Sequence, residues 1–145
     1  MKNIVALVDF SDVALNVLKN VLTLAQAFKS QVTVVHGMPV RTAVIDVALA
    51  SPAVSQEPTE EEIQADMSRL QKLTEPLRDC GLGVSLKQFH GTTMDRIVEE
   101  ALRSEADLIV VGSHQHNAFY NLLVGSVTSN VLRQAKCPVL VVSMD

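Results

Sequence analysis

Hydrophobic and polar residues alternate along the chain in two rhythms. Short unbroken apolar runs read as strands, and longer stretches with apolar residues at helical spacing read as amphipathic helices. Ile4 to Val8 is the first run, continuous as in a strand covered on both faces. Ser11 or Asp12 is placed to cap the helix that follows. That helix puts Ala14, Leu18, Val21, Leu22, Ala25 and Phe28 on one face and Asn16, Asn20 and Thr23 opposite. Gln31 to Val35 forms the second strand. From Val40 to Pro58 the pattern dissolves, although Ala43 to Ala50 is apolar enough for a short helix over the sheet; connections this long tend to be lids or mobile segments. Thr59 and Glu62 make a capping box for a helix with Ile63, Met67, Leu70, Leu73 and Leu77 inward, and Pro76 predicts a kink or early end.

After a turn at Gly81 and Gly83, Val84, Leu86 and the Gln88–Phe89 end form a third strand. Its alternation suggests one wet face and an edge position. Thr92 or Thr93 caps a helix with Met94, Ile97, Val98, Ala101 and Leu102 on one stripe. Leu108 to Val111 is the fourth strand, stopped by Gly112. Gly125 and Ser126 then open a helix with Val127, Val131, Leu132 and Ala135 apolar, and Pro138 to Val142 is the fifth strand. Strands alternating with helices predict an α/β fold, a three-layer doubly wound five-stranded parallel sheet. Ligands in such sheets sit at the carboxyl ends of strands, where the strand order reverses.

The stretch from Ala106 to Val131 has the ingredients of an anion cradle. Glycine lets backbone amides approach a ligand, and a helix N-terminus offers free N–H donors, so Gly112 and Gly125-Ser126 suit phosphate. A plain strand-to-helix connection with a glycine at each bend explains the same residues. The hydroxyls of Ser126 and Thr128 could reach phosphate oxygens, or Ser126 could simply cap the helix. Asp9, at the end of the first strand, could accept a hydrogen bond from a ligand's amine or hydroxyl, or cap the first helix.

Composition narrows the function. The 145 residues fit one domain, 1–145, and 48% hydrophobic against 19% charged residues is a globular balance. A net charge of −4 without a Lys/Arg cluster argues against nucleic acid as partner. No apolar run approaches a membrane span and no signal-peptide pattern opens the chain, so a cytoplasmic protein without a membrane partner is expected. Cys80 and Cys137 have neither redox nor zinc spacing and are expected to be structural thiols. P-loop, dinucleotide, nucleophile-elbow and carboxylate-pair patterns are missing, which leaves no catalytic residue to name. His36, His90, His114 and His116 all follow strand ends, but without an acidic ligand they form no recognisable metal motif.

The flanking segments ADLIVVGSH, LLVGSVT and CPVLVV, and the spacing between them, resemble the universal stress proteins, and the resemblance runs over essentially the whole chain. That family carries G-x-x-G-x9-G-[ST] after its fourth strand; here Gly112 is followed by Ser113 and His114, then Gln115, nine residues from His116 to Val124, and Gly125-Ser126. Gln115 stands where the family has its second glycine, and nucleotide binding, though not the fold, depends on it. The resemblance implies an adenine nucleotide alpha hydrolase-like fold with strand order 3-2-1-4-5, so that Asp9 and Gly112 face each other across the crevice. It implies ATP or another adenine nucleotide, with or without Mg²⁺, as ligand of Asp9, Gly37, Gly112, His114, Gln115, Gly125, Ser126, Val127 and Thr128. Gly37 replaces a valine whose backbone contacts adenine, and histidines at positions like 36 and 114 occur in the family without a metal. A homodimer through the fifth strand, Val139 to Val142, is implied as well, with an unidentified protein partner beyond it. The expected role is a stress-response sensor or regulator with at most slow ATP hydrolysis. Two rivals are a nucleotide-independent dimeric interaction module and a weak phosphohydrolase using the rim histidines.

Overall fold

The structure, a computed structural model, describes residues 1–43, 54–113 and 126–144. In chain order the elements are β1 (Asn3–Leu7), α1 (Val13–Phe28), β2 (Gln31–Pro39), β3 (Arg41–Ala43), β4 (Val54–Gln56), α2 (Glu60–Asp79), β5 (Val84–Thr92), α3 (Met94–Leu102), β6 (Leu108–Ser113), α4 (Ser126–Gln134) and β7 (Val139–Ser143). Five strands form one sheet in the order β5-β2-β1-β6-β7, with every neighbouring pair parallel. Counted within this sheet, that is the expected 3-2-1-4-5.

Alternate side chains of the central strand divide the core in two. Ile4, Ala6 and Val8 pack with Ala14, Leu18, Val21 and Ala25 of α1 and with Leu70 and Leu77 of α2. Val5 and Leu7 face the other way, onto Val98 and Ala101 of α3 and Val131 of α4. This is why Ile4 to Val8 is apolar without interruption: each fully buried aliphatic side chain contributes about 1.5–3 kcal/mol, and both faces of β1 are covered. β5, at one edge, keeps the alternation of half-buried and exposed residues expected of it.

Several expectations are corrected. Asp12 occupies the N-cap position of α1, but no side-chain hydrogen bond caps the helix. Ser11, the other candidate, directs its hydroxyl to Asp9. Phe28 is the last residue of α1 and Leu132 lies on the outer side of α4; both are about half exposed, while Val17, left out of the predicted stripe, is fully buried. α2 does not stop at Pro76 but runs on to Asp79, because a proline in the last turn forfeits few helical bonds. The segment read as patternless contains the short antiparallel pair β3–β4, which takes Ala43 out of the expected helix; residues 44–50 of that helix lie outside the described residues. β6 continues through Gly112 to Ser113 rather than ending before the glycine. The Thr59–Glu62 box forms as expected, with each side chain bonded to the other residue's backbone N–H. Thr93, rather than Thr92, caps α3.

Candidate functional site

β1 and β6 lie side by side where the strand order reverses, and the helices next in the chain, α1 and α4, pack on opposite faces of the sheet. A crevice opens at their carboxyl ends, lined by residues from Leu7 to Asp9, by Gly37, by Val111 to Ser113, by Val13 and Val17 of α1, by Met94 and Ile97 of α3, and by Val127 and Thr128 of α4. Its volume of about 210 Å³ is more than ten times what one ordered water requires, about 10–15 Å³, so it is a ligand-sized hollow. The floor is aliphatic, and the polar groups stand at the rim.

Asp9 is exposed at this rim, two residues beyond the end of β1. Its Oδ1 accepts the Ser11 N–H at 3.0 Å and the Ser11 hydroxyl, an Asx-type turn that fixes the carboxylate's direction.

Gly37 and Gly112 serve space rather than torsion, since neither has positive φ. A Cβ at Gly37 would stand 2.6 Å from Cγ2 and 2.7 Å from Cδ1 of Ile97. A Cβ at Gly112 would stand 2.6 Å from Cγ1 of Val13. In each case a β-branched side chain from a helix enters the gap and becomes crevice wall. Where the resembled family usually has valine on the strand, this chain supplies the aliphatic bulk from α3 instead. Ile97 was readable only as a core position and Val13 not at all. The available signal was a glycine inside an otherwise β-branched strand, which announces the close approach of another element.

α4 is fixed to the rim at its first turn. Thr128, buried, donates its hydroxyl hydrogen to the Gly112 carbonyl at 3.0 Å. That proton is therefore committed to the strand rather than to a ligand. Buried Asn130 donates to Oδ1 of Asp95 at 2.6 Å, joining α4 to the start of α3. The leading N–H groups of a helix have no intrahelical acceptor, so this end of α4 presents donors beside Gly112. Thus Asp9, Gly37, Gly112, Val127 and Thr128 gather around one hollow. His114, Gln115 and Gly125 lie outside the described residues, as does the side chain of Ser126.

His36 is buried beneath α2 and His90 is exposed on the edge strand β5, while His114 and His116 lie outside the described residues. Cys80 and Cys137 are both free thiols; partial burial, and secondarily the charge of Asp107, pushes the Cys137 thiol above its ordinary value. Among the described residues no helix is long and apolar enough to cross a membrane.

Known proteins match this arrangement along the full chain. A universal stress protein of Methanocaldococcus jannaschii is 33% identical over 141 residues, covering 97% of this chain and 81% of its own. A universal stress protein of Archaeoglobus fulgidus has a solved structure with a TM-score of 0.70 at 25% identity, covering 98% of both chains. A structure of the universal stress protein from the same organism in complex with dAMP has a TM-score of 0.67 at 24% identity, again over 98% of both. The sequence model of the universal stress protein family matches residues 1–143, and the chain belongs to that family.

Proposed function

We propose that the crevice binds an adenine nucleotide, ATP or a close relative, and that the protein acts as a stress-response sensor or regulator rather than as a fast enzyme. The observation that carries this reading is the convergence of Asp9, Gly37, Gly112 and the first turn of α4 on one hollow at the strand-order reversal. An aliphatic floor of Leu7, Val35 and Ile97 suits a purine ring, and the rim carboxylate of Asp9 suits an amine or a ribose hydroxyl. Phosphates would meet backbone N–H groups at the start of α4, which suits a chain of net charge −4 without a basic cluster. The relative with dAMP in its structure supports the same ligand class. A magnesium ion, where one takes part, would come with the nucleotide's phosphates.

Titration calorimetry on the protein and on Gln115→Gly tests the reading. At a glycine site that needs close approach, a Cβ costs about 1–3 kcal/mol, roughly ten- to a hundredfold in affinity. The glutamine amide is itself a donor and offsets part of that loss. Binding weaker than in a glycine-containing site but measurable is expected, tighter for ATP than for GTP, with Gln115→Gly tightening it. If neither protein binds adenine nucleotide at millimolar concentration, the nucleotide reading fails and a nucleotide-independent interaction module takes its place. Phosphate release in the presence of Mg²⁺ is expected to stay below about 1 s⁻¹, under the usual enzyme range.

The assembly we propose is a homodimer through β7, Val139 to Val142. β7 is an edge strand, and Val141 is 38% exposed on it. An apolar edge left bare invites aggregation, and antiparallel pairing with a second copy would close it with two-fold symmetry. Val141→Lys should give monomer or precipitate in light scattering; an unchanged dimer would move the interface elsewhere.

A further inference from the structure

Resting on the nucleotide reading above, we propose that His36 is a positioning residue for the crevice, held in its doubly protonated form by Asp66, so that ligand affinity falls as the second proton leaves. The ring is buried, 5% exposed, and each of its nitrogens faces an oxygen. Nδ1 lies 3.0 Å from the Val8 carbonyl, which can only accept, so Nδ1 carries hydrogen. Nε2 lies 3.2 Å from Oδ2 of Asp66. An ionised carboxylate also only accepts, so Nε2 carries hydrogen too. A neutral imidazole has one N–H and cannot satisfy both; the cation can.

The position of this ring links it to the site. His36 directly precedes Gly37 on β2, and Val8 directly precedes Asp9 at the end of β1. The Val8 N–H already donates to the Val35 carbonyl at 3.0 Å, so the imidazole closes a second bond at the same junction. Phe10, just past Asp9, lies 4.4 Å from the imidazole between ring centroids, and the Arg69 guanidinium sits 4.0 Å from the centre of the Phe10 ring. Asp66 and Arg69 are three residues apart on one face of α2, which thereby grips both strand ends.

Among the described residues, the charged group in contact with the imidazole is Asp66 of α2. Arg69, also of α2, lies over Phe10, the ring that the imidazole contacts, and Asp9 is the residue after Val8. β5 brings the uncharged Gln88 alongside His36. When the second proton leaves, the Nδ1–H bond to Val8 survives, but an Nε2 lone pair faces the Asp66 carboxylate. The α2 side of the grip is lost, while the strand-to-strand bond remains. The sign follows directly: the contact is complete on the acid side of the His36 titration and is lost as pH rises through it.

The test pairs a spectroscopic with a binding readout. Nitrogen-15 spectra of the histidine rings, assigned with His36→Gln, are followed between about pH 5 and 8, the window in which histidine titrates. Both His36 nitrogens are expected to be protonated at the acid end, with the signal of a single N–H appearing as pH rises. A ring already neutral at about pH 5 overturns the proposal. Affinity for ATP over the same range should weaken roughly tenfold more in the wild-type protein than in Asp66→Asn, the loss of one charge-assisted contact. The ligand's own titration is common to both proteins and cancels in this comparison. Equal pH profiles for the two proteins overturn the positioning role. If ATP binds neither protein, the nucleotide reading has failed, and the proton-held contact still stands or falls on the ring spectra alone.

Discussion

The two ends of the sheet are built from the same strands and treated in opposite ways. At the amino end, polar groups close every junction within reach. The Asp107 carboxylate accepts the Lys2 N–H at 2.6 Å and the Asn3 N–H at 2.9 Å, and the Asn3 side chain donates to the Glu105 carbonyl at 3.1 Å. Ser30 donates to the Met1 carbonyl at 3.0 Å. At the carboxyl end, glycine replaces side chains that would close the gap, and helices supply aliphatic walls around a hollow. The amino end is closed by polar bonds; the carboxyl end, although His36 and Val35 tie β2 to Val8, keeps a hollow. Strand pairing alone does not create the site, since it is the same at both ends. The residues that follow each strand do.

Four substitutions sharpen this contrast, in descending size. Ile97→Ala removes a crevice wall that is also core and is expected to cost about 2–5 kcal/mol in urea denaturation. Gly37→Val alone should destabilise by steric conflict with Ile97, whereas the double variant should be more stable than the sum of the two single effects. Strict additivity would mean that the two side chains do not share that space. Next, Gly112→Ala drives a Cβ into Val13 and Val17 and should cost about 1–3 kcal/mol while weakening any ligand in the crevice. An unchanged melting temperature would show that α1 moves aside freely and that the hollow is soft.

The smallest effect belongs to the amino end. The backbone N–H groups of Asn3 and Lys2 hold the Asp107 carboxyl below its ordinary value. A carboxyl lowered in the folded state contributes stability above its unfolded value and loses it as pH falls through the folded one. Asp107→Asn should therefore leave the crevice untouched and flatten the dependence of the urea midpoint on pH below about 5. Because the group is fully exposed, the change should be slight. A loss of crevice binding in this variant would break the separation between the two ends.

Most of the fold was legible because periodicity reports burial directly. Ile4 to Val8 is apolar on both sides because both sides are covered, and the Thr59–Glu62 box works within four residues of chain. What was missed depends on partners distant in sequence. Gly112 read as a ligand glycine, yet its Cβ is excluded by Val13, a residue nearly a hundred positions earlier. Asp66 drew no reading from the sequence, and only the packing of α2 over β1 and β2 brings it to His36. Phe28 fitted the helical stripe by spacing but falls past the last turn that the sheet covers. Asp9 and Gly112 were placed by the point where strand order reverses and Gly37 by the family resemblance, and all three line the hollow; what touches them was not in the local pattern.

The β3–β4 ladder has a consequence for how the chain tolerates change. Arg41 pairs with Gln56 and Ala43 with Val54, so both ends of the intervening stretch are pinned side by side by backbone bonds. Directly after it, the reciprocal box at Thr59 sets where α2 begins. Together they act as a socket, with contacts fixed on the protein side and length free on the other. Since closing a longer loop costs only about 0.6 kcal/mol for each doubling, a guest peptide inserted between Ala43 and Val54 should leave the sheet and α2 in register. This is the natural place to graft a tag or a fluorescent reporter.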